Sequence, residues 1–260
     1  MKLKYLALFL FIAVSTAAIA QRGGYRSAMQ DYYLANSVND KRFLQRMAVS
    51  VGLQMISGKA DIQFNGFADS GGYRADSFKA DIKAKQSFAV HIGSYFPLLI
   101  VSDNSMLVFN MELMASVSKL TYDSITITPG AKFSIPFQTY RAGMPLSIEY
   151  RMGGDARLNK NYKTCFGIGA GINPGILYST DYNRNQPLKI TPFVKAEAGF
   201  FAGLVFKLRV IAYFGETEYD YSENYNKVRG LDNVVRTEMR GNYGYSASLV
   251  IMPFSYMWSK

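Results

Sequence analysis

Few residue types in this chain could carry chemistry. His91 is the only histidine, so any histidine-dependent mechanism or metal site would rest on it alone. Ser87 and Ser94 lie nearby, but a hydrolytic triad needs a nucleophile, a base and an orienting group within hydrogen-bond reach, and no orienter is evident. A lumen-packing or hydrogen-bonding role is therefore expected for His91. Cys165 is the single cysteine, which excludes an internal disulfide, a redox pair and a cysteine-rich metal site. Gly167, Gly169 and Gly171 lack the spacing and the following helix of a phosphate-binding loop. Their two-residue period places them on one face of a curved strand instead. No catalytic, metal or cofactor-binding residue is expected.

The remaining candidates are eight ionisable residues spread over residues 112–209: Glu112, Lys132, Glu149, Arg151, Lys195, Glu197, Lys207 and Arg209. They sit on otherwise small or polar strand faces and come with partners of opposite sign. Two roles suit such a set, a structural plug that stiffens a narrow barrel or a selective path for ions. Small barrels are mostly filled by their own side chains, which favours the plug.

Strands must position these residues. Met47, Val49, Val51, Leu53 and Met55 share one face against Ala48, Ser50, Gly52 and Gln54, and the cleanest alternation sets Leu107, Phe109, Met111, Leu113, Ala115 and Val117 against Asn110, Glu112, Met114, Ser116 and Ser118. The same plan returns in Phe88 to Ile92, Ala131 to Ile135, Leu146 to Tyr150, Phe166 to Ile172 and Tyr243 to Ile251. Hairpins must return apolar residues to the same side. A three-residue turn at Phe201-Ala202-Gly203 satisfies this and would set Phe200 opposite Leu204, Glu197 opposite Lys207, and Lys195 opposite Arg209. A turn at Tyr122-Asp123-Ser124 would bring Lys132 diagonal to Glu112.

Composition agrees with strands. Aromatic residues make up 15% of the 260 residues and charged ones only 18%, with 19 Tyr and 18 Phe against one Trp. The net charge of +10 suits acidic lipid head groups or anionic solutes. Nucleic acid is not expected as a partner, because no binding motif appears. Residues 1–20 follow the three-part plan of a secretory signal peptide: MKLKY, an apolar LALFLFIAV, then STAAIA with Ala18 and Ala20 before Gln21. Residues 21–43, polar and Tyr-rich, read as a periplasmic extension. The most apolar later stretch, 198–214, contains Lys207 and Arg209, which are costly in a membrane helix but fall on one face of a strand. Any membrane role must come from strands.

A soluble sandwich would carry charge freely on its outer face. Here the polar faces are dominated by Gly, Ser, Thr and Asn, as in a narrow lumen, and the segments are long enough to cross a bilayer as tilted strands. The fold class expected is all-β: a closed, antiparallel, up-and-down transmembrane β-barrel over residues 44–260, of about ten strands. An eight-stranded solution treats residues 57–85 as a long loop. The ten include separate strands at 45–56 and 59–68, and at 125–138 and 145–153. A loop at 216–240, Tyr-rich and charged in both signs, is the candidate outward contact surface.

Phe254, Tyr256 and Trp258 alternate at the C-terminal end, which resembles the aromatic-ended last strand of the bacterial outer-membrane β-barrel superfamily, although Ser259 and Lys260 follow. Ala20-Gln21, PLSIEYRMGG and FGIGAGINPG resemble small barrels of Bacteroidetes-type bacteria. The resemblance implies outer-membrane location, with outer-membrane lipids, the barrel assembly machinery and an envelope protein as partners; it carries no catalytic residues. A non-enzymatic structural or interaction role is expected, with a narrow channel or a lipid-modifying barrel enzyme as alternatives.

Overall fold

The computed structural model describes residues 40–67, 73–102, 104–122, 125–128, 131–133, 137–179, 188–215, 217–220, 224–228 and 231–258. The expected signal peptide and most of the expected extension lie outside them. The described chain opens with a short helix, α1 (Asp40–Gln45), followed by strands β1 (Ala48–Phe67), β2 (Tyr73–Ser102), β3 (Ser105–Tyr122), β4 (Ile125–Thr128), β5 (Ala131–Phe133), β6 (Phe137–Gly143) and β7 (Leu146–Gly153). A one-turn helix, α2 (Gly154–Arg157), precedes β8 (Thr164–Ser179), β9 (Lys189–Ala202), β10 (Leu204–Tyr213), β11 (Thr217–Asp220), β12 (Asn224–Val228) and β13 (Leu231–Met252), and a 3-10 turn spans Ser255–Met257.

Neighbouring strands pair antiparallel in the order β1, β2, β3, β6 with β7, β8, β9, β10, β13, and β13 pairs back onto β1. The sheet is therefore closed. β6 and β7 occupy one place in the ring, since both pair with β3 on one side and β8 on the other. Pro145 has no N–H to give to the ladder, so the strand is interrupted at Met144–Pro145. Its carbonyl still accepts the Glu112 N–H at 3.0 Å, and Met144 N–H reaches the Pro174 carbonyl at 2.9 Å.

The ring has eight strands and not ten. The strands expected at 45–56 and 59–68 are one, β1, because Ser57-Gly58-Lys59 goes on pairing with β2 and β13, past a register shift on each, instead of turning. Residues 57–67 and 73–85 are thus strand as well, not the long loop of the eight-stranded alternative. Residues 125–128 and 131–133 are not part of the ring and form a separate two-stranded sheet, β4 with β5. The expected contact loop at 216–240 is itself partly strand: β11 and β12 pair with the upper part of β13, which begins at Leu231. The C-terminal aromatics do not extend the last strand, which ends at Met252; Phe254 leads into the 3-10 turn and Trp258 folds back into the barrel, 2% exposed.

Polarity is inside out relative to a soluble domain. Outward positions such as Leu53, Leu113, Ile168, Ile190, Leu208 and Tyr245 are exposed, whereas Glu112, Glu149, Arg151, Lys195 and Arg209 are buried. Among the described residues, outward positions of the eight strands between Val49 and Met55, Phe88 and Ile92, Leu107 and Val117, Tyr140 and Met152, Phe166 and Tyr178, Ile190 and Phe200, Leu204 and Phe214, and Tyr245 and Ile251 carry no charge. No described helix is long and apolar enough to cross a membrane.

Candidate functional site: a charge network across the lumen

The glycine row of β8 makes the site. Gly169 lies opposite Glu149 on β7 and opposite Lys195 on β9; Gly167 lies opposite Arg151 and Glu197 in the same way. With no side chain between them, residues two strands apart meet over the glycines. Lys195 Nζ approaches Glu149 Oε1 to 2.5 Å, and Arg151 Nη2 lies 3.7 Å from Glu197 Oε2. A Cβ at position 169 would sit 2.5 Å from Glu149 Cγ, so only glycine leaves room for the carboxylate. The same device recurs at Gly93, opposite Glu112, where a Cβ would lie 2.7 Å from the glutamate Cγ.

Glu112 is the hub. Its two oxygens accept a bidentate pair from Arg209 at 2.8 and 2.9 Å, and further hydrogen bonds come from Asn110 at 2.6 Å and Lys195 at 3.2 Å. His91 Nδ1 lies 3.2 Å from Oε2. In a ring of eight, β3 and β10 stand four places apart, so the Glu112–Arg209 pair spans the diameter. Arg209 Nε also donates to Glu197 Oε1 at 2.7 Å. Lys207 holds Glu197 at 3.2 Å and Asp155 at 2.5 Å, and Arg151 donates to Asp155 at 2.9 Å and to Glu149 at 2.6 Å while stacking over the Tyr95 ring at 4.1 Å.

Four carboxylates (Glu112, Glu149, Asp155, Glu197) thus meet four cations (Arg151, Lys195, Lys207, Arg209), all buried. The formal charges cancel. That balance matters because an unmatched charge in a dry interior costs several kcal/mol.

Of the eight residues expected in the network, seven come together. Lys132 does not: β5 pairs with β4, where Lys132 faces Thr126, and Glu112 faces Gly93. Asp155 was not expected. It arrives from α2, which tucks into the barrel after Gly153 (φ +88) and leaves through Leu158 in the left-handed region. The charge count was the available signal, since the four cations that do assemble outnumber the three expected glutamates by one. Arg141, also missed, sits apart and donates to Thr191 Oγ1 at 2.9 Å. It lies between two segments that alternation had separated.

The β9–β10 register also differs from expectation. Gly203, at φ +82, makes the turn tighter than a three-residue loop, so pairing slides by two residues. Glu197 faces Arg209, Lys207 faces Gly199, and Lys195 faces Ile211. Face parity survives this slide, which is why the wrong partners still fall on the lumen side.

Below the network an apolar floor of Tyr95, Met106, Val108, Ala156, Leu158, Cys165, Val205, Met252 and Trp258 closes the end of the barrel beside Ala48. The Tyr95 hydroxyl donates to the Asp155 carbonyl. Trp258 stacks on Phe201 with ring centroids 6.2 Å apart and donates its indole N–H to the Gln45 carbonyl at 3.0 Å, while Gln45 Nε2 donates to the Met257 carbonyl at 3.1 Å. The serines near His91 are engaged elsewhere: Ser87 pairs with Ser118 at 2.7 Å, and Ser94 donates to the Phe43 carbonyl at 3.3 Å. No cluster of three His, Cys, Asp or Glu that could hold a metal ion occurs among the described residues.

Ring closure, an uncharged apolar belt on the outer face and a polar, charge-paired interior define the class: a β-barrel of the outer-membrane type. No protein-family model and no curated protein matches the sequence. Among solved structures, the chain is similar to the outer membrane protein OprG from Pseudomonas aeruginosa, with 10% identity and a TM-score of 0.43 over 78% of this chain and 93% of OprG. It is also similar to the outer membrane protease OmpT from Escherichia coli, with 10% identity and a TM-score of 0.39 over 79% of this chain and 95% of OmpT. For Ail, the attachment invasion locus protein of Yersinia pestis, the values are 10%, 0.25, 79% and 99%.

Proposed function

We propose that this protein is a non-enzymatic outer-membrane barrel of a Bacteroidetes-type envelope, exported through a cleaved signal peptide, with a structural or interaction role at the cell surface. The observation that carries this reading is the filled lumen. Eight ionisable side chains, each in at least one ion pair, bridge the barrel from wall to wall, and an apolar floor lies beneath them. A lumen built this way transmits rigidity between strands and commits these eight charges to one another in place of a passing ion. His91 rests on the hub carboxylate of that network, which supports a packing role over a catalytic one.

Envelope fractionation tests location, with heat-modifiable migration on gels as the sign of a folded barrel. Recovery in the soluble fraction, with no heat-modifiable band, would sink the reading. Planar-bilayer recording tests the role: the folded protein is expected to give no steady conductance, and regular single-channel steps would favour the narrow channel. Unchanged lipid profiles on deletion of the gene are expected, and a modified lipid lost with His91→Ala would favour the enzyme.

A further inference from the structure

Three register shifts lie at one height of the sheet. Between Leu53 and Ser57, β1 advances four residues while β2 runs back five, from Phe88 to Lys83. From Met55 to Ser57, β1 advances two residues while β13 runs back three, from Tyr245 to Asn242. From Lys119 to Leu120, β3 advances one while β2 runs back two, from Gln86 to Ala84. Each of β2 and β13 therefore carries one extra residue, and an extra residue moves every later side chain to the opposite face.

The chemistry of the outer face changes at that line. Without the bulges, Ala84, Ile82, Ala80 and Phe78 of β2 would continue the apolar exterior, as would Met239 of β13. With them, Lys83, Asp81 and Lys79 take the outward positions of β2, beside Ser57, Lys59 and Asp61 of β1 and Asn242, Arg240 and Glu238 of β13. Lys59, Lys79, Asp81 and Lys119 are exposed. On each of these four neighbouring strands, the first charged outward position beyond the apolar belt is a cation: Lys59, Lys83, Lys119 and Arg240. The two nearest the belt have no carboxylate opposite on either side. Lys83 faces Ser57 and Thr121, and Lys119 faces Gln86 and Gln138. Lys59 lies between Asp81 and Arg240, and Arg240 faces Glu218 further round, so carboxylates enter only one row higher.

We propose that this β13–β1–β2–β3 face forms a cationic collar that binds the phosphate groups of anionic lipid head groups where the strands leave the bilayer. The proposal rests on the membrane-barrel reading and adds a lipid class and a side of the barrel to it. The bulges are the device: they end the lipid-facing belt within one residue step and put lysine positions on the outer face at the edge of that belt, where phosphates lie.

The test uses the full protein reconstituted in vesicles, with tryptophan reporters quenched by brominated lipids. Met55→Trp places a reporter beneath the collar; Ile176→Trp places one on β8, diametrically opposite. Buried Trp258 supplies the common background. Brominated phosphatidylglycerol is expected to quench the Met55→Trp reporter with an apparent affinity about fivefold or more above brominated phosphatidylcholine, since each cation near the surface contributes about that factor. The Ile176→Trp reporter is expected to show no preference, and Lys83→Gln with Lys119→Gln is expected to abolish the preference while heat-modifiable migration is kept. Equal quenching of Met55→Trp by the two lipids overturns the collar and leaves the barrel standing. Quenching by neither lipid above the Trp258 background overturns the membrane reading as well.

Discussion

At the residue scale, the lumen is governed by neutrality. Glu112 receives Arg209, Lys195, Asn110 and His91, so replacing it strands more than one donor at once. Glu112→Gln is expected to lower unfolding stability by about 3–5 kcal/mol, because four buried cations are left against three carboxylates and Arg209 keeps only Glu197. Combining it with Arg209→Met should recover part of that loss, and urea unfolding of the single and double variants measures the coupling. Gly169→Ala is expected to destabilise the barrel although alanine is small. Its Cβ would fall 2.5 Å from Glu149 Cγ and 2.7 Å from the Ile148 carbonyl, directly beneath the Lys195–Glu149 pair that crosses β8. The same unfolding assay would count against this account of β8 if Gly169→Ala were neutral. The charged set was legible from the sequence because opposite signs recur on small-residue faces. Asp155 was not, since its position comes from a one-turn helix folding inward and from no strand periodicity.

At the element scale, strand existence was easier to read than strand ends. Alternation gave the faces of β3, β8 and β10 correctly, and burial along β10 follows it residue by residue. Ser57-Gly58-Lys59 reads as a turn because polarity changes there, yet the strand runs straight on to Phe67. The change belongs to the outer face and not to the backbone path. Alternation also cannot see a bulge on a neighbouring strand, so the inverted faces of β2 and β13 were hidden. Deleting Lys85 removes the extra residue of β2 while Lys83, Asp81 and Lys79 keep their outward positions, because Gln86, Ala84 and Lys83 then alternate without a break. The variant is expected to fold with an unchanged heat-modification temperature, and a marked drop would argue that the bulge itself stabilises the sheet. Trp258→Ala removes the floor of the barrel and the tie to Gln45, at an expected cost of about 3–5 kcal/mol in the same unfolding assay.

At the scale of the whole molecule, exterior and interior obey opposite rules. A charge placed on the belt, as in Leu113→Arg, is expected to cost about 2–4 kcal/mol in lipid vesicles, whereas Lys119→Glu, beyond the belt, should cost little stability. Comparable losses for the two would contradict the position assigned to the belt. One further consequence follows from the pair that crosses the full diameter. Glu112 and Arg209 come from strands on opposite sides of the ring, and Lys207 must reach an aspartate from the far loop. A half-built sheet already holds Glu197 with Arg209 and Lys207 in the β9–β10 hairpin, and Arg151 with Glu149 and Asp155. The contacts that cross the ring are different: they reward only completion, and the last strand to arrive releases their stabilisation all at once. Timing, as much as strength, is written into the lumen.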